Sequence, residues 1–547
     1  MKRTATLLAA AALLTACQSD GDSLAVGEGD FVKQDTPGKA DSSVEAIFVD
    51  FEFSGQVVVS GSFWANSGIE DQLLYTIGHL NHDNSVGRLD QLQISNVTTE
   101  AIGDGRYVAS YDAKMPVAWG DRDNVPTTYQ LRLPADITTA GQDAFTEKYN
   151  HDCVDHGAHD VTRGSMWYYY RPERWGCDID EADVVTIDAT VSISDINTTG
   201  KYPEYHKVWE DDVLEVVAVF GKYEDGATGN GDAGISAYNR FNRALGQEFA
   251  GAELVTVPES VPYTPGVATP EIQYTATLAD DRTVEVTVLL VDNVRTAPAS
   301  FNTRYAELSR TADLIVYNGH AGLGANIRAL ASKGDWQTGQ YAMVFMNGCD
   351  TYAYVDSALN DAHAAVNDDD PNGTKYLDIV TNAMPSFFHS MPDATMALVG
   401  GLMDYDEPKT YEQMFMNIDA SEVVLVSGEQ DNEYYPGFGD DDGDDDPVDD
   451  GWQGFEESGT VARGEEHHFA TPTLSPGTYL FAISGSGDAD LYVRTGMAPT
   501  VDAWECRPYR SGSDEICEVE LTAEAPVHVM VRGYASNSSY TLESISE

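Results

Sequence analysis

The pattern of hydrophobic positions divides the chain into three folded regions. In the first, Ile47–Phe53 and Val184–Ile193 have the alternating apolar residues of strands. Between them, Leu73 and Ile77 belong to a series of apolar residues at helical spacing. We therefore predict an α+β domain, of a family we do not recognise, over residues 45–210.

The second region, residues 211–428, alternates apolar strands with helical faces. Strands buried on both faces of a parallel sheet read as near-continuous apolar runs. Such runs occur at Val213–Phe220, Leu314–Tyr317 and Tyr341–Met346. We place a further helix near Leu377–Phe388 and a strand near Thr395–Val399. The alternation predicts a three-layer α/β domain, in which sites form at the carboxyl ends of the strands.

The third region, residues 458–547, has short alternating strands separated by Gly, Ser and Pro turns, which predicts an all-β sandwich. Residues 429–457 precede it and contain thirteen acidic residues and no basic one. Such a block of like charge favours an extended acidic linker. Asp440, Asp442 and Asp444 alternate as in some calcium loops, but the closing Glu of an EF-hand is missing, so calcium binding has weak support.

The N-terminus indicates export. Lys2 and Arg3 precede a short apolar run, and the run ends in Leu14-Thr15-Ala16-Cys17, which resembles the bacterial lipobox. We predict a signal peptide over residues 1–17, a lipid on Cys17 and a flexible tether over residues 18–44. The protein would then be anchored to a membrane of the bacterial cell envelope. The alternative is an ordinary signal peptide that happens to contain a cysteine.

Charge and composition narrow the classes of partner. The chain has 90 acidic and 31 basic residues, a net charge of −59. The phosphates of a nucleic acid would be repelled, so we exclude nucleic acid as a partner. The 42% hydrophobic content excludes a wholly disordered chain. We expect a monomer.

The chain has six cysteines, and exported proteins normally pair those that lie close together. They are Cys17, Cys153, Cys177, Cys349, Cys506 and Cys517. Proximity predicts the pairs Cys153–Cys177 and Cys506–Cys517, which leaves Cys349 alone once Cys17 is lipidated. A lone cysteine is either reactive or a buried, inert residue.

A metal site is an alternative for the segment around Cys153. His151, His156 and His159 lie close enough in sequence to Cys153 to suggest metal ligands. However, an oxidised cysteine does not ligate a metal, and Cys177 is an obvious partner. We therefore favour the disulfide and predict no metal site.

Two of the predicted parallel strands lead into reactive side chains. Leu314–Tyr317 is followed by His320, and Tyr341–Met346 is followed by Gly348 and Cys349. If the strands are neighbours, the imidazole and the thiol open onto one edge, as a nucleophile and its base require. Backbone N–H groups near the glycines could stabilise an oxyanion, and the candidates are Ala321, Gly322 and Gly348.

This arrangement of strand, His, turn, strand and Gly-Cys resembles the caspase-like cysteine peptidases over roughly residues 211–428. The resemblance implies that His320 and Cys349 form a catalytic dyad that cleaves proteins or peptides without a cofactor. This chain has Ala321 where the family usually has Gly after the His. The dyad residues are 29 positions apart, against about 50 in caspases. Asp313 and Asp350 are weaker site candidates.

The C-terminal region resembles the bacterial pre-peptidase C-terminal domain, a noncatalytic companion of secreted peptidases. The matching segments are Gly487–Arg494, Cys506–Tyr509, Glu515–Cys517 and Val531–Tyr534. Some relatives bind calcium near the positions of Asp488 and Asp490. We therefore expect an exported, surface-anchored cysteine endopeptidase. The alternative is a catalytically inactive caspase-like lipoprotein that binds its partner at the cell surface.

Overall fold

The computed structural model describes residues 41–438 and 454–546, except 123, 159–160, 437, 475–476, 502, 509–511, 514 and 522–524. The chain forms two compact units, one through Gly439 and one from Asp440 onward. The predicted signal peptide, the proposed lipid site at Cys17 and the aspartates Asp440, Asp442 and Asp444 lie outside the described residues.

The N-terminal part of the first unit is built mainly from strands. The strands are β1 (Asp41–Ser43), β2 (Ile47–Val59), β3 (Val86–Gly87), β4 (Gln93–Gly103), β5 (Arg106–Trp119), β6 (Thr128–Pro134) and β7 (Val184–Ile193). The α-helices are α1 (Ala65–Leu73), α2 (Tyr75–Leu80), α3 (Thr139–Tyr149) and α4 (Met166–Tyr169).

Strands β2 to β7 form an antiparallel sheet in the order β3-β5-β2-β7-β6, with β4 paired to β5. The long strands β2 and β5 pair along their length, from Ile47 opposite Trp119 to Val59 opposite Tyr107. The apolar side chains of α1 and α2 are fully buried against the sheet, as the helical spacing of Leu73 and Ile77 indicates.

The rest of the first unit alternates strands and helices. Its strands are β8 (Val213–Gly221), β9 (Glu253–Val257), β10 (Glu271–Thr277), β11 (Thr283–Val291), β12 (Leu314–Asn318), β13 (Ala342–Asn347), β14 (Leu377–Asn382) and β15 (Val424–Ser427). Its α-helices are α5 (Tyr205–Val208), α6 (Ala233–Glu248), α7 (Ala299–Leu308), α8 (Ala325–Lys333), α9 (Thr351–Tyr354), α10 (Ala358–Ala364), α11 (Met391–Met403) and α12 (Tyr411–Phe415).

Nine strands form one mixed sheet in the order β1-β15-β14-β13-β12-β8-β11-β10-β9. The five central strands, from β14 to β11, are parallel, and the pairs at both edges are antiparallel. The carboxyl ends of the parallel strands therefore meet along one edge, as the near-continuous apolar runs of the sequence predict.

Helices cover both faces of this sheet because successive side chains of a strand point to opposite sides. Val217 and Ile315 lie in one hydrophobic core, with residues of α7 and α8. Val216 and Val316 lie in the other, with residues of α6, α11 and α12. The first of these cores also contains the buried side chains of the N-terminal sheet. The division predicted near residue 210 therefore does not separate two compact units.

The predicted helix near Leu377–Phe388 and strand near Thr395–Val399 are wrong. Leu377–Asn382 is the parallel strand β14, and Met391–Met403 is helix α11. β14 contains the β-branched residues of a strand and is buried throughout. Pro392 in the first turn of α11 suits a helix start, because its missing N–H has no intrahelical partner there.

Two predicted boundaries also change. The tether was predicted to extend to residue 44, but Asp41–Ser43 forms β1, which pairs with β15 at the sheet edge. The acidic linker was predicted to begin at Glu429. This carboxyl is instead fully buried and accepts hydrogen bonds from Ser42 and Thr198. The charge pattern misplaced the linker because paired acidic side chains also occur in cores.

A buried arginine connects the two sheets of the first unit. Arg88 has no exposed surface, and its Nε lies 3.0 Å from Oδ1 of Asp90. Its Nη1 lies 3.6 Å from Oδ2 of Asp41 in β1 and donates to Ser427 of β15. The guanidinium also lies over the ring of Tyr352, 5.2 Å from its centroid. The Arg88 guanidinium thus forms ion pairs with carboxylates from both parts of the unit.

The second unit contains two antiparallel sheets. Its strands are β16 (Phe455–Ala462), β17 (Glu466–Leu474), β18 (Gly477–Ser486), β19 (Ala489–Thr495), β20 (Glu515–Leu521), β21 (Ala525–Gly533) and β22 (Asn537–Ser546). One sheet has the order β16-β22-β18-β20 and the other β17-β21-β19. Side chains such as Phe481, Leu491 and Val529 form a separate hydrophobic core.

Among the described residues of both units, no helix has the length and apolar character needed to cross a membrane.

Replacing Arg88 by Met should destabilise the first unit by about 3–5 kcal/mol, because it leaves the carboxylates of Asp41 and Asp90 buried without their cation. Arg106→Met is a matched control, since Arg106 pairs with Asp136 at the surface and should change stability by less than about 1 kcal/mol. Urea unfolding of both variants measures the difference. Equal effects would contradict the role assigned to Arg88.

His363 makes the stability of the first unit sensitive to pH. The imidazole is buried beside Trp336, and neither ring nitrogen has a hydrogen-bond partner among the described residues. Burial lowers the pKa of His363 to about 4 from its ordinary value of 6.5. Between these two pKa values, His363 is therefore protonated in the unfolded chain but neutral in the folded protein.

We expect protonation of His363 to lower the free energy of unfolding by about 3 kcal/mol as the pH falls from about 6.5 to about 4. His363→Leu should be less sensitive to acid over that range. Denaturant unfolding at several pH values measures the slope, and the same substitution at the exposed His156 is the control. An unchanged slope for His363→Leu would contradict this account.

Candidate functional site

The turns that follow β12 and β13 lie against each other at the carboxyl edge of the sheet. The N–H of Gly319 donates to the carbonyl of Asn347 over 3.2 Å. A Cβ on Gly348 would lie 2.8 Å from the carbonyl oxygen of Gly319 and 3.3 Å from the nitrogen of Ala321. Position 348 therefore requires glycine because two backbone segments meet there.

His320 is enclosed in this edge. The side chain packs against the rings of Tyr223 and Phe388, with centroids 5.4 and 5.3 Å away, and these two rings also contact each other. Its Nε2 is 3.1 Å from the carbonyl oxygen of Tyr223, which only accepts, so this nitrogen carries the hydrogen. The residue is 9% exposed. The imidazole is thus held by two aromatic contacts and by the hydrogen bond of its Nε2.

Cys349 is also buried, with its Sγ 3.6 Å from the carbonyl oxygen of Ser386. The sulfur is disulfide-bonded, and the described part of the chain contains no free thiol. Reaction at a carbonyl requires a thiolate. Cys349 therefore has no nucleophile to offer in this structure.

The three predicted oxyanion positions have structural roles here. The carbonyl of Ala321 accepts from the N–H groups of Gly324 and Asn326. Gly322 has a φ of 59°, in the left-handed region that favours glycine. Gly348 fills the contact between the two turns. The structure brings these residues together, but as parts of a closely packed edge.

A buried polar network lies beneath these turns, and the sequence did not predict it. The Ser386 hydroxyl donates to Oδ1 of Asn347 over 2.6 Å, and Nδ2 of Asn347 donates to Asn318 over 2.9 Å. Glu422 accepts from Ser390 and Ser386. Burial raises the pKa of Glu422 to about 7. These residues come from four separate segments, so only the folded chain brings them together.

The two weaker candidates, Asp350 and Asp313, lie in different places. Asp350 follows Cys349 in a left-handed conformation and accepts from Asn81 and Tyr168 of the N-terminal part. Burial raises its pKa to about 6. Asp313 precedes β12, where its carboxylate accepts from the N–H of Glu215. Asp313 is therefore at the amino end of the strand, opposite the candidate site.

Both predicted disulfide bonds are present. Cys153 is bonded to Cys177, with 4.7 Å between the Cα atoms, and Cys506 is bonded to Cys517. In the first loop, Arg174 donates to the carbonyls of His151 and Val154. Among the described residues around Cys153, no three His, Cys, Asp or Glu side chains are placed to hold a metal ion, and His159 lies outside the described residues.

The second unit has a polar cluster that covers the outer face of its three-stranded sheet. The Arg507 guanidinium lies 4.5 Å from the ring centroid of Tyr492 and donates to Asp490 over 2.8 Å. It also donates to the Tyr534 hydroxyl. Asp490 therefore pairs with an arginine, and Asp488 accepts from the N–H of Gly512. Among the described residues around them, no three acidic, His or Cys side chains are placed to hold a metal ion.

Comparison with known proteins finds similarity over a short stretch. The chain is 44% identical over 82 residues to a zinc metalloprotease of Helicobacter pylori, which covers 15% of this chain and 32% of that protein. The same identity and length relate it to a hemagglutinin/proteinase of Vibrio cholerae, covering 14% of that protein. It is 48% identical over 59 residues to alkaline serine exoprotease A of Vibrio alginolyticus, 11% of each chain.

The chain thus spans a third or less of the length of these relatives. A solved structure titled vEP C-ter 100 is 38% identical, covers 17% of this chain and 91% of its own, and has a TM-score of 0.15. No protein-family profile matches the chain.

The caspase-like interpretation is wrong. The similar proteins whose names state their chemistry are metalloproteases of Helicobacter and Vibrio and a serine exoprotease. The disulfide at Cys349 removes the thiol that the dyad needs. The pattern of His and Gly-Cys after two strands misled the sequence interpretation because neighbouring turns of a parallel sheet need glycine for packing alone.

Zinc, which the name of one relative includes, does not fit the described residues. No histidine of the chain is followed directly by glutamate, so the H-E-x-x-H motif is missing from the sequence. Within the described ranges, no three His, Cys, Asp or Glu side chains are placed to hold a metal ion. The similarity to a zinc enzyme therefore does not extend to a zinc site in this part of the chain.

We predict that Cys349 of the intact protein resists alkylation by iodoacetamide in the absence of reductant, because its sulfur is already bonded. Reduction under denaturing conditions should make the same residue reactive, which serves as the control. Peptide mapping by mass spectrometry measures both states. Full labelling of Cys349 in the native, unreduced protein would contradict the structure.

Proposed function

We propose that this chain is an exported protein that binds protein substrates outside the cytoplasm, and that its C-terminal unit is a noncatalytic binding module. The observation that carries the proposal is that short parts of this chain, of 82 and 59 residues, are similar to proteases of different catalytic chemistry, a zinc metalloprotease and a serine exoprotease. We infer that both matches fall on one stretch, which this chain shares with both enzymes. A segment common to both kinds of enzyme is not the source of either chemistry.

We assign this stretch to the C-terminal unit. The matched lengths, 82 and 59 residues, suit that unit, which begins at Asp440. The Gly487–Arg494 segment, which suggests a companion domain of secreted peptidases, lies there at the start of β19. The unit also has its own core and its own disulfide, Cys506–Cys517, so it is able to fold beside different partners.

Two features support export. The first unit contains the Cys153–Cys177 disulfide and the second contains Cys506–Cys517. Disulfides persist in oxidising compartments and are rare in the cytosol. One of the similar proteins is named an extracellular protease, from Xanthomonas campestris, with 45% identity over 53 residues. The shared property of these relatives is action on proteins, which is why we propose a protein substrate.

The proposal assigns no hydrolytic step to the described residues. The zinc ligands of a metalloprotease are missing there, and Cys349 is oxidised. Binding of the substrate is therefore the function that the geometry supports.

The full chain should bind an unfolded protein, with a Kd that neither a metal chelator nor iodoacetamide changes. Reduced and carbamidomethylated hen lysozyme, labelled with a fluorophore, is a suitable probe for anisotropy measurements. A shortened chain that ends at Phe438 should lose the binding, because it keeps the cores of the first unit but lacks the module. Folded lysozyme is the control for nonspecific contact.

Equal binding by the shortened chain would contradict the assignment to the C-terminal unit. A failure of the full chain to bind any unfolded protein would contradict the proposed function itself.

A further inference from the structure

The exposed apolar side chains of the C-terminal unit are concentrated in one part of it. Among the described residues of this unit, the large hydrophobic side chains that are exposed are Met497 (55%), Val501 (40%), Trp504 (44%) and Ile516 (65%). We call these four residues the apolar patch. Three of them follow β19 and Ile516 is the second residue of β20, whereas the core residues of the other strands are buried. Exposed apolar patches are typical of binding surfaces.

The segment that carries the patch is held rigidly. Thr500 and Ala503 exchange backbone hydrogen bonds of 2.9 and 3.1 Å, which close a tight turn. Val493 and Cys506 exchange another pair, of 2.9 and 3.1 Å. An ordered surface loses little conformational entropy when a partner binds. The patch therefore has the preorganisation of a recognition surface.

The disulfide connects the two parts of the patch. Cys506 and Cys517 have Cα atoms 5.8 Å apart. Trp504 lies two residues before the first cysteine and Ile516 one residue before the second. The disulfide therefore holds the loop that carries Trp504 close to the beginning of β20, which carries Ile516. Tryptophan at such a position contributes a large share of binding energy in many interfaces.

The position of β20 favours a polypeptide as the partner. β20 is the terminal strand of its sheet and pairs only with β18 in the described structure. One side of a terminal strand presents N–H and C=O groups that an extended peptide is able to pair with. A polysaccharide does not reproduce that ladder. The apolar patch lies beside this edge through Ile516, the second residue of β20.

The negative charge of the C-terminal unit indicates which peptide charge it favours. Residues 458–547 contain thirteen acidic and five basic side chains. Like charges across an interface disfavour association, and opposite charges speed it. A basic segment is thus favoured over an acidic one.

We propose that the apolar patch and the edge of β20 bind an extended polypeptide segment in which large apolar side chains adjoin basic ones. This inference rests on the proposed function, because it specifies the surface and the partner of the same binding module.

The test uses the full chain, with reduced and carbamidomethylated lysozyme as the basic unfolded probe and reduced and carbamidomethylated α-lactalbumin as the acidic one. Trp504→Ala should weaken binding of the basic probe by about tenfold, as expected for an aromatic residue at the centre of an interface. Ile516→Asp should also weaken it. Trp175→Ala is the matched control, because Trp175 is 97% exposed in the first unit, and it should change the Kd by less than about twofold.

Each outcome has a separate meaning. If the full chain binds the basic probe but Trp504→Ala and Ile516→Asp bind it equally well, the patch inference is wrong and the proposed function survives. If the wild type binds neither probe but binds insoluble chitin or cellulose, both proposals are wrong. Tighter binding of the acidic probe would overturn the charge argument. Unchanged thermal unfolding of the variants shows that a loss of binding does not come from misfolding.

Discussion

The first unit depends on the burial of one cation between two parts of the chain. Arg88 lies in the N-terminal part, yet it contacts Asp41 and Ser427 in the edge strands β1 and β15 of the nine-stranded sheet. A buried charge is costly unless it is paired and hydrogen-bonded. The edge strands and the N-terminal sheet must therefore assemble together, which explains why the two predicted domains form one compact unit.

The same constraint shapes the edge where a catalytic site was expected. Asp350, directly after Cys349, is tied to Asn81 and Tyr168 of the N-terminal part. Tyr352, two residues further on, donates to Asp41 in the Arg88 cluster. The turn after β13 is consequently fixed from two sides, and Cys349 is oxidised. We propose that this edge serves packing and stability, and that the exposed binding surface lies in the second unit.

Much of the fold follows from local patterns in the sequence. The apolar runs predict the parallel strands β8, β12 and β13, because strands covered on both faces lack polar alternation. Sequence proximity and export predict both described disulfides. The patterns failed where the local signal was ambiguous: Leu377–Asn382 is a short apolar run that suits a strand or a helix, and only its pairing with β13 decides.

The site was less predictable because its residues meet only in the folded chain. Glu422, Ser386 and Asn347 come from different segments, and no spacing in the sequence indicates their network. His320 and Cys349 had a recognisable spacing, but the sequence does not reveal that His320 packs against Tyr223 and Phe388 or that Cys349 is disulfide-bonded. For the apolar patch, the sequence feature was Trp504, two residues before Cys506. It indicates a binding surface only once the neighbouring strands are known to be buried.

The central claim is that the protein engages its substrate through the C-terminal module and not through the edge that contains His320 and Cys349. Hydrogen exchange of the full chain, with and without a bound unfolded polypeptide, tests this claim most directly. The account predicts that added protection is confined to residues 496–506 and to β20, because a peptide paired with that edge shields its amides. Protection at residues 319–322 and 348–350, with none in the module, would contradict it.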